Sequence, residues 1–208
     1  MSDAPLSLAD ADAQMLVAGS MFETERTTIN GIELTVWKHA PKNLRHILDL
    51  SLNHGSRDFL VYEGQRLTFD EHYRHAATLA ARLIDAGVAK GDRVAIASRN
   101  LPQWIIAFWG AVLTGAIVVP VNAWWTPEEL QYGLTDSGSS VLFVDEERLE
   151  RVRSQLDDLS ELTKIVVFSD DPERPARLGD EHSRVRIIDF DTFVGAVDDK
   201  ATPPEVVI

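Results

Sequence analysis

Cysteine is absent from this 208-residue chain. Its absence excludes disulfides, thiolate metal sites and a cysteine nucleophile, and it suits a reducing compartment, so a cytoplasmic protein is expected. Positive charge is also scarce: 20 Lys and Arg stand against 33 Asp and Glu, for a net charge of −13. Such a surface repels phosphate backbones and anionic lipid faces, so no nucleic-acid partner is expected. The opening residues, Met1-Ser2-Asp3-Ala4-Pro5-Leu6-Ser7, lack the basic n-region and apolar stretch of an export signal. The motif inventory is equally bare. No two glycines lie two apart, so GxGxxG is missing, and neither a GxSxG elbow nor an HExxH pair occurs. Gly110 and Gly115 have P-loop spacing, but Ala116-Ile117 stands where Lys and Ser/Thr are required to reach the phosphates. No catalytic residue and no metal site can be assigned from motifs.

What remains is an ordinary globule, 45% hydrophobic and 25% charged. A chain of this length buries about 70% of its unfolded surface, enough for a core without staples. Residues 101–127 carry no charge, and residues 104–121 read WIIAFWGAVLTGAIVVPV. The length would pass for a membrane span, yet Gly110, Gly115 and Pro120 punctuate it and Ile117-Val118-Val119 is β-branched. A buried helix leading into a buried strand is the expected form, and no transmembrane segment.

The chain divides by pattern. Residues 1–28 are polar and acidic, an expected irregular lead-in, and residues 29–200 form an α/β unit. Asn30-Gly31 marks one β-hairpin and Glu63-Gly64-Gln65 a second. Asn43 is the expected cap of a helix carrying Leu44, Ile47, Leu48 and Leu52, closed by Gly55. Thr68 with Glu71, and Thr126 with Glu129 behind Pro127, are capping boxes that open helices. Short apolar strands over 93–97, 117–121, 141–144 and 165–168 alternate with helices over 102–115, from 127 and over 146–159. An edge strand is expected at 186–188. Strand–helix alternation predicts a mostly parallel sheet with helices on both faces.

Candidate site residues are few, and each has two readings. His72 and His75 share a helical face beside Glu71, either as metal ligands without a third partner or as two surface histidines. Trp124 and Trp125 follow a strand and either line a pocket on the substrate side or pack over the sheet edge. Arg148 and Arg151 lie in a charged run that begins directly after a strand. A helix N-terminus with arginines could hold a phosphate there; the other reading is a solvated face with a Glu147–Arg151 pair.

The order of motifs resembles a known family. Phe59-Leu60-Val61-Tyr62 with Leu67-Thr68-Phe69-Asp70-Glu71, then Gly87-Val88-Ala89-Lys90-Gly91-Asp92-Arg93-Val94-Ala95-Ile96, are similar to the opening motifs of the adenylate-forming, AMP-binding superfamily. The stretches Asn100-Leu101-Pro102-Gln103-Trp104 and Phe108 through Asn122 continue the match, as do Thr126-Pro127-Glu128-Glu129-Leu130 and Asp136-Ser137-Gly138. Trp37-Lys38-His39-Ala40-Pro41 leading to Leu44-Arg45 most resembles the fatty acyl-CoA synthetase branch.

The resemblance implies a ligase that uses ATP, Mg²⁺ and CoA to activate a fatty acid, with Arg148 and Arg151 as the expected contacts to CoA phosphate. The family's Ser/Thr/Gly-rich loop with its lysine is missing, as are its Mg²⁺-binding carboxylate and the lysine of its C-terminal domain. Residues 201–208 are therefore expected to be a truncated linker toward the phosphate loop, and the 208-residue chain to be inactive by itself. The expected partners are a carboxylate substrate and a second copy met through exposed apolar surface. The alternative is a standalone, non-catalytic α/β scaffold or interaction module.

Overall fold

The computed structural model describes residues 5–169 and 184–206. Its contacts divide the chain into two units, Met1–His46 and Ile47–Ile208. This boundary lies well past residue 28, where the composition had suggested it.

The first unit holds α1 (Leu8–Met15) and a hairpin of β1 (Thr24–Ile29) and β2 (Ile32–Trp37). The lead-in is thus not irregular. Ser7 caps α1 by accepting a hydrogen bond from the Asp10 N–H at 3.2 Å, and the Ala- and Asp-bearing turns behind it suit a short helix. Asn30 and Gly31 take the positive φ values, 50° and 80°, of the expected tight turn. No described residue of this unit is buried, and a lone two-stranded hairpin is marginal in water.

Helix α2 (Leu44–Ser51) leads into the second unit. There β3 (Asp58–Tyr62) and β4 (Gln65–Thr68) form the second hairpin. At its end the Thr68–Glu71 capping box starts α3 (Phe69–Asp85). A five-stranded parallel sheet follows: β5 (Arg93–Ala97), β6 (Ile117–Pro120), β7 (Val141–Asp145), β8 (Lys164–Phe168) and β9 (Arg186–Asp189). The spatial order is β6-β5-β7-β8-β9. Between the strands run α4 (Pro102–Leu113), α5 (Pro127–Ser137) and α6 (Glu146–Arg153), and α7 (Phe190–Val194) comes last.

Both sheet faces are covered, as the α/β reading requires. Ala95, Ala97, Leu142, Val144, Ile165 and Val167 pack with Leu130 and Leu134 of α5 and Leu149 and Val152 of α6. The alternate residues Val94, Ile96, Phe143, Val166 and Phe168 pack with Leu79 and Leu83 of α3 and Ile106, Ala107 and Ala111 of α4. Burial on two faces explains why these strands read as unbroken apolar runs.

Two elements differ from expectation. Helix α6 ends at Arg153, six residues early, because the chain turns to bury Leu156, Leu159 and Leu162 in the α5–α6 core. Strand β6 is not a buried strand but the sheet's edge, and Ile117 is 55% exposed. The uncharged run breaks at Thr114-Gly115 between α4 and β6. Among the described residues no helix is long and apolar enough to cross a membrane. The charged stretch over 170–183 lies outside the described residues.

Candidate functional site

In a parallel sheet of this order, α4 carries the chain from β5 to one side and α6 carries it from β7 to the other. The loops beyond the carboxyl ends of β5 and β7 therefore diverge and leave a crevice, the usual ligand position in doubly wound sheets. A cleft of about 700 Å³ opens there, lined among others by Arg99, Gln103, Trp124, Asp145, Glu147 and Arg148.

Asp145 organises the crevice. It ends β7 and caps α6, accepting from the Arg148 N–H at 3.0 Å. The same carboxylate accepts from the Arg99 N–H at 2.9 Å, which fixes the loop after β5. It also pairs with the Arg148 guanidinium at 3.1 Å. Arg148, whose side chain is 2% exposed, donates from Nε to the Ala123 carbonyl at 2.6 Å and from Nη1 to Glu147 at 2.9 Å. Arg151 donates from Nη1 to the carbonyls of Ala123 at 3.2 Å and Trp125 at 3.0 Å, and pairs with Glu147 through Nη2. Both arginines are thus committed to holding residues 123–125. In this structure the two arginines expected at a phosphate brace that loop, through Asp145, Glu147 and the carbonyls of Ala123 and Trp125.

The two tryptophans separate. Trp124 lies 67% exposed on the cleft with the Arg99 guanidinium 4.5 Å over its ring. A cation over an aromatic face at this distance is attracted by the ring quadrupole. Trp125 turns inward onto the α5–α6 core. It presses on Gly133, where an added Cβ would lie 2.6 Å from the indole Cζ3, so only glycine leaves room for the ring. Pocket and packing readings each fit one of the pair.

The histidines are not a surface pair. His72 is buried, and burial holds its imidazole down to about 4 against a pull from the Ile105 backbone. Burial also lowers His75. Among the described residues no group of three or more His, Asp or Glu is placed to hold a metal ion. Nor does the cleft suit a polyphosphate, for Glu63, Asp145, Glu146 and Glu147 line it against Arg99 and the already paired Arg148.

Sequence reasoning missed Arg99 and Asp145. Asp145 carried a signal, since an Asp between a strand and a helix invites a capping role. Arg99 carried none, because only the folded loop brings it over Trp124.

A doubly wound sheet with a braced switch-point cleft defines the class, and comparison narrows it. Residues 50–205 match the profile of the family described as AMP-binding enzyme. The long-chain-fatty-acid–CoA ligase of Bacillus subtilis is 38% identical over 102 residues, 49% of this chain and 18% of that protein. The acyl-CoA ligase sidI of Beauveria bassiana is 33% identical over 132 residues, 60% of this chain and 23% of that one. The crystal structure of the anthranilate CoA ligase AuaEII with anthranoyl-AMP superposes with a TM-score of 0.66 at 25% identity, covering 77% of this chain and 30% of that chain. The chain belongs to the AMP-binding enzyme family. It spans about a fifth of the length of the curated relatives it matches.

Proposed function

We propose that the chain is the amino-terminal part of an ATP-dependent fatty acid–CoA ligase and supplies one wall of its cleft. Family membership over residues 50–205 carries this reading, and relatives that are long-chain-fatty-acid or acyl-CoA ligases support the substrate class. The reaction joins a carboxylic acid to CoA with cleavage of ATP to AMP and pyrophosphate, chemistry in which Mg²⁺ balances phosphate charge. The cleft's acidic lining disfavours a polyphosphate, and among the described residues no cluster of carboxylates and imidazoles is placed to hold a metal, so no phosphate step is assigned to these residues. Their part is positional: Asp145, Arg148 and Arg151 hold the loop that carries Trp124, and Trp124 offers an apolar face to the acid. A cytoplasmic setting goes with this role, in keeping with a chain free of cysteine.

The test is made on the whole gene product and on the 208-residue chain in parallel. The whole product forms acyl-CoA from a chain-length series of fatty acids, whereas the chain alone supports no acid-dependent pyrophosphate exchange. Exchange by the chain alone refutes the positional role. Failure of any longer product to make acyl-CoA favours a non-catalytic scaffold. In the active ligase, Trp124→Ala raises KM for the acid about tenfold with kcat held, as loss of binding shared by ground and transition states does. Unchanged kinetics remove Trp124 from the substrate side.

A further inference from the structure

A pocket of about 200 Å³ opens between the β3–β4 hairpin, α3, α4 and α7, on the sheet face that α3 and α4 cover. It meets the cleft only along a rim of Tyr62, Gln65, Pro102 and Gln103. Its walls are mainly apolar, with Leu67, Ile106, Phe190 and Val194 continuing outward from the core. Four polar side chains converge on it from separate elements: Gln65 from β4, His75 from α3, Gln103 from α4 and Asp191 from α7. None of these four side chains makes a hydrogen bond or ion pair with another described residue. His75 is half-buried and Asp191 exposed, so both are open to an entering molecule.

The charge left over in this pocket is negative. Its one arginine, Arg66, is paired with Asp58. Arg82 of α3 approaches Gly195 but donates to the Val194 carbonyl at 3.1 Å and pairs with Asp85 at 3.7 Å. Burial holds the Asp191 carboxyl above the usual carboxylate range, the charge of Asp189 adds to this, and His75 pulls the other way. Burial lowers His75, so at neutral pH its ring is uncharged and keeps one acceptor nitrogen. We propose that this pocket binds a small primary amine with an apolar body, its ammonium paired with Asp191 beside His75 and its body against Ile106, Phe190 and Val194. An ammonium has three N–H donors and no acceptor, which suits the carboxylate, imidazole nitrogen and amide oxygens that the pocket leaves unused. An anion would face an unpaired carboxylate, and an ion without its opposite is costly to bury even partly. The body is apolar because the inner wall is. A cavity near this size holds one ring with a short tail, about nine non-hydrogen atoms.

The probes are 2-phenylethylamine, a cation at neutral pH, its uncharged isostere 2-phenylethanol, and the anion 3-phenylpropionate, each titrated into the full chain. Calorimetry follows affinity, and backbone amide NMR locates the bound molecule. The amine binds about tenfold more tightly than the alcohol, the gain of a charge-assisted hydrogen bond, and the anion binds weakest. The amine shifts amides of residues 65–67, 103–106 and 190–197, which border the pocket. In Asp191→Asn the preference for the amine vanishes while the alcohol still binds. Equal affinities for amine and alcohol, no binding of the amine, tighter binding of the anion, or a preference that survives in Asp191→Asn overturns the proposal. A chain with 33 Asp and Glu draws amines to many carboxylates, so amide shifts centred outside the pocket overturn it equally. Should Asp191→Asn not fold, Val197→Phe serves, since Val197 also lines the pocket and is half-buried. It weakens amine and alcohol about tenfold by filling the space, and unchanged binding refutes the site. None of these readouts involves ligase activity, so the acyl-CoA reading stands or falls separately.

Discussion

Asp145 shows how much one side chain can organise. It ends a strand, caps a helix, holds the Arg99 amide and neutralises a buried arginine. Asp145→Asn keeps the shape and removes the charge, leaving buried Arg148 with the half-exposed Glu147 as its remaining anion. Breaking one side of a buried pair costs about 3 kcal/mol, so urea denaturation of the variant should show a loss of that size. A loss below about 1 kcal/mol would mean that water reaches the pair. His72 makes a second prediction, about pH. Folded, it takes a proton only near pH 4, against 6.5 when unhindered. Below pH 6.5 the unfolded chain therefore binds more protons, and stability falls with pH. The His72 contribution is complete above pH 6.5 and is lost by pH 4, a decline of about 3 kcal/mol. Stability curves of the parent and His72→Leu should diverge across that window, and parallel curves would refute the assignment.

Among the elements, α3 and α4 meet most closely at Gly110. An added Cβ there would lie 2.7 Å from Leu79 Cδ2, and Leu79 is wholly buried and has nowhere to retreat. Gly110→Ala should destabilise by roughly 2 kcal/mol through overpacking, visible as a lower thermal midpoint. An unchanged midpoint would mean that the helices can separate. Most elements were legible in the sequence where a local rule acts alone. The capping boxes at Thr68 and Thr126, the Asn30-Gly31 turn and the period of the sheet strands each depend on a few neighbouring residues. Legibility failed where distant residues decide. The early end of α6 follows from the pull of the core on Leu156, and the edge position of β6 from a strand order no single segment encodes. The site was half legible for the same reason. Trp124 and Trp125 carry the same signal in the sequence, and only the contact with Gly133 tells which of them faces the cleft.

Across the whole molecule, protection should follow depth in the sheet. Amides of β5, β7 and β8, flanked on both sides and covered on both faces, should exchange only through global opening. Those of the β1–β2 hairpin, where nothing is buried, should exchange orders of magnitude faster. Uniform protection across both units would contradict this gradient. The Asp145 tie also reaches beyond local strength. Because the Asp145 carboxylate joins the loop after β5 to α6, and Arg148 beside it ties in the loop after β6, the cleft wall acquires its order when the chain folds, not when an occupant arrives. Little conformational entropy remains to be lost at the moment of association. Occupancy and folding are then linked reciprocally: a molecule that fills the cleft raises the melting temperature by mass action, and a change that slackens the tie weakens retention of the occupant and resistance to heat together.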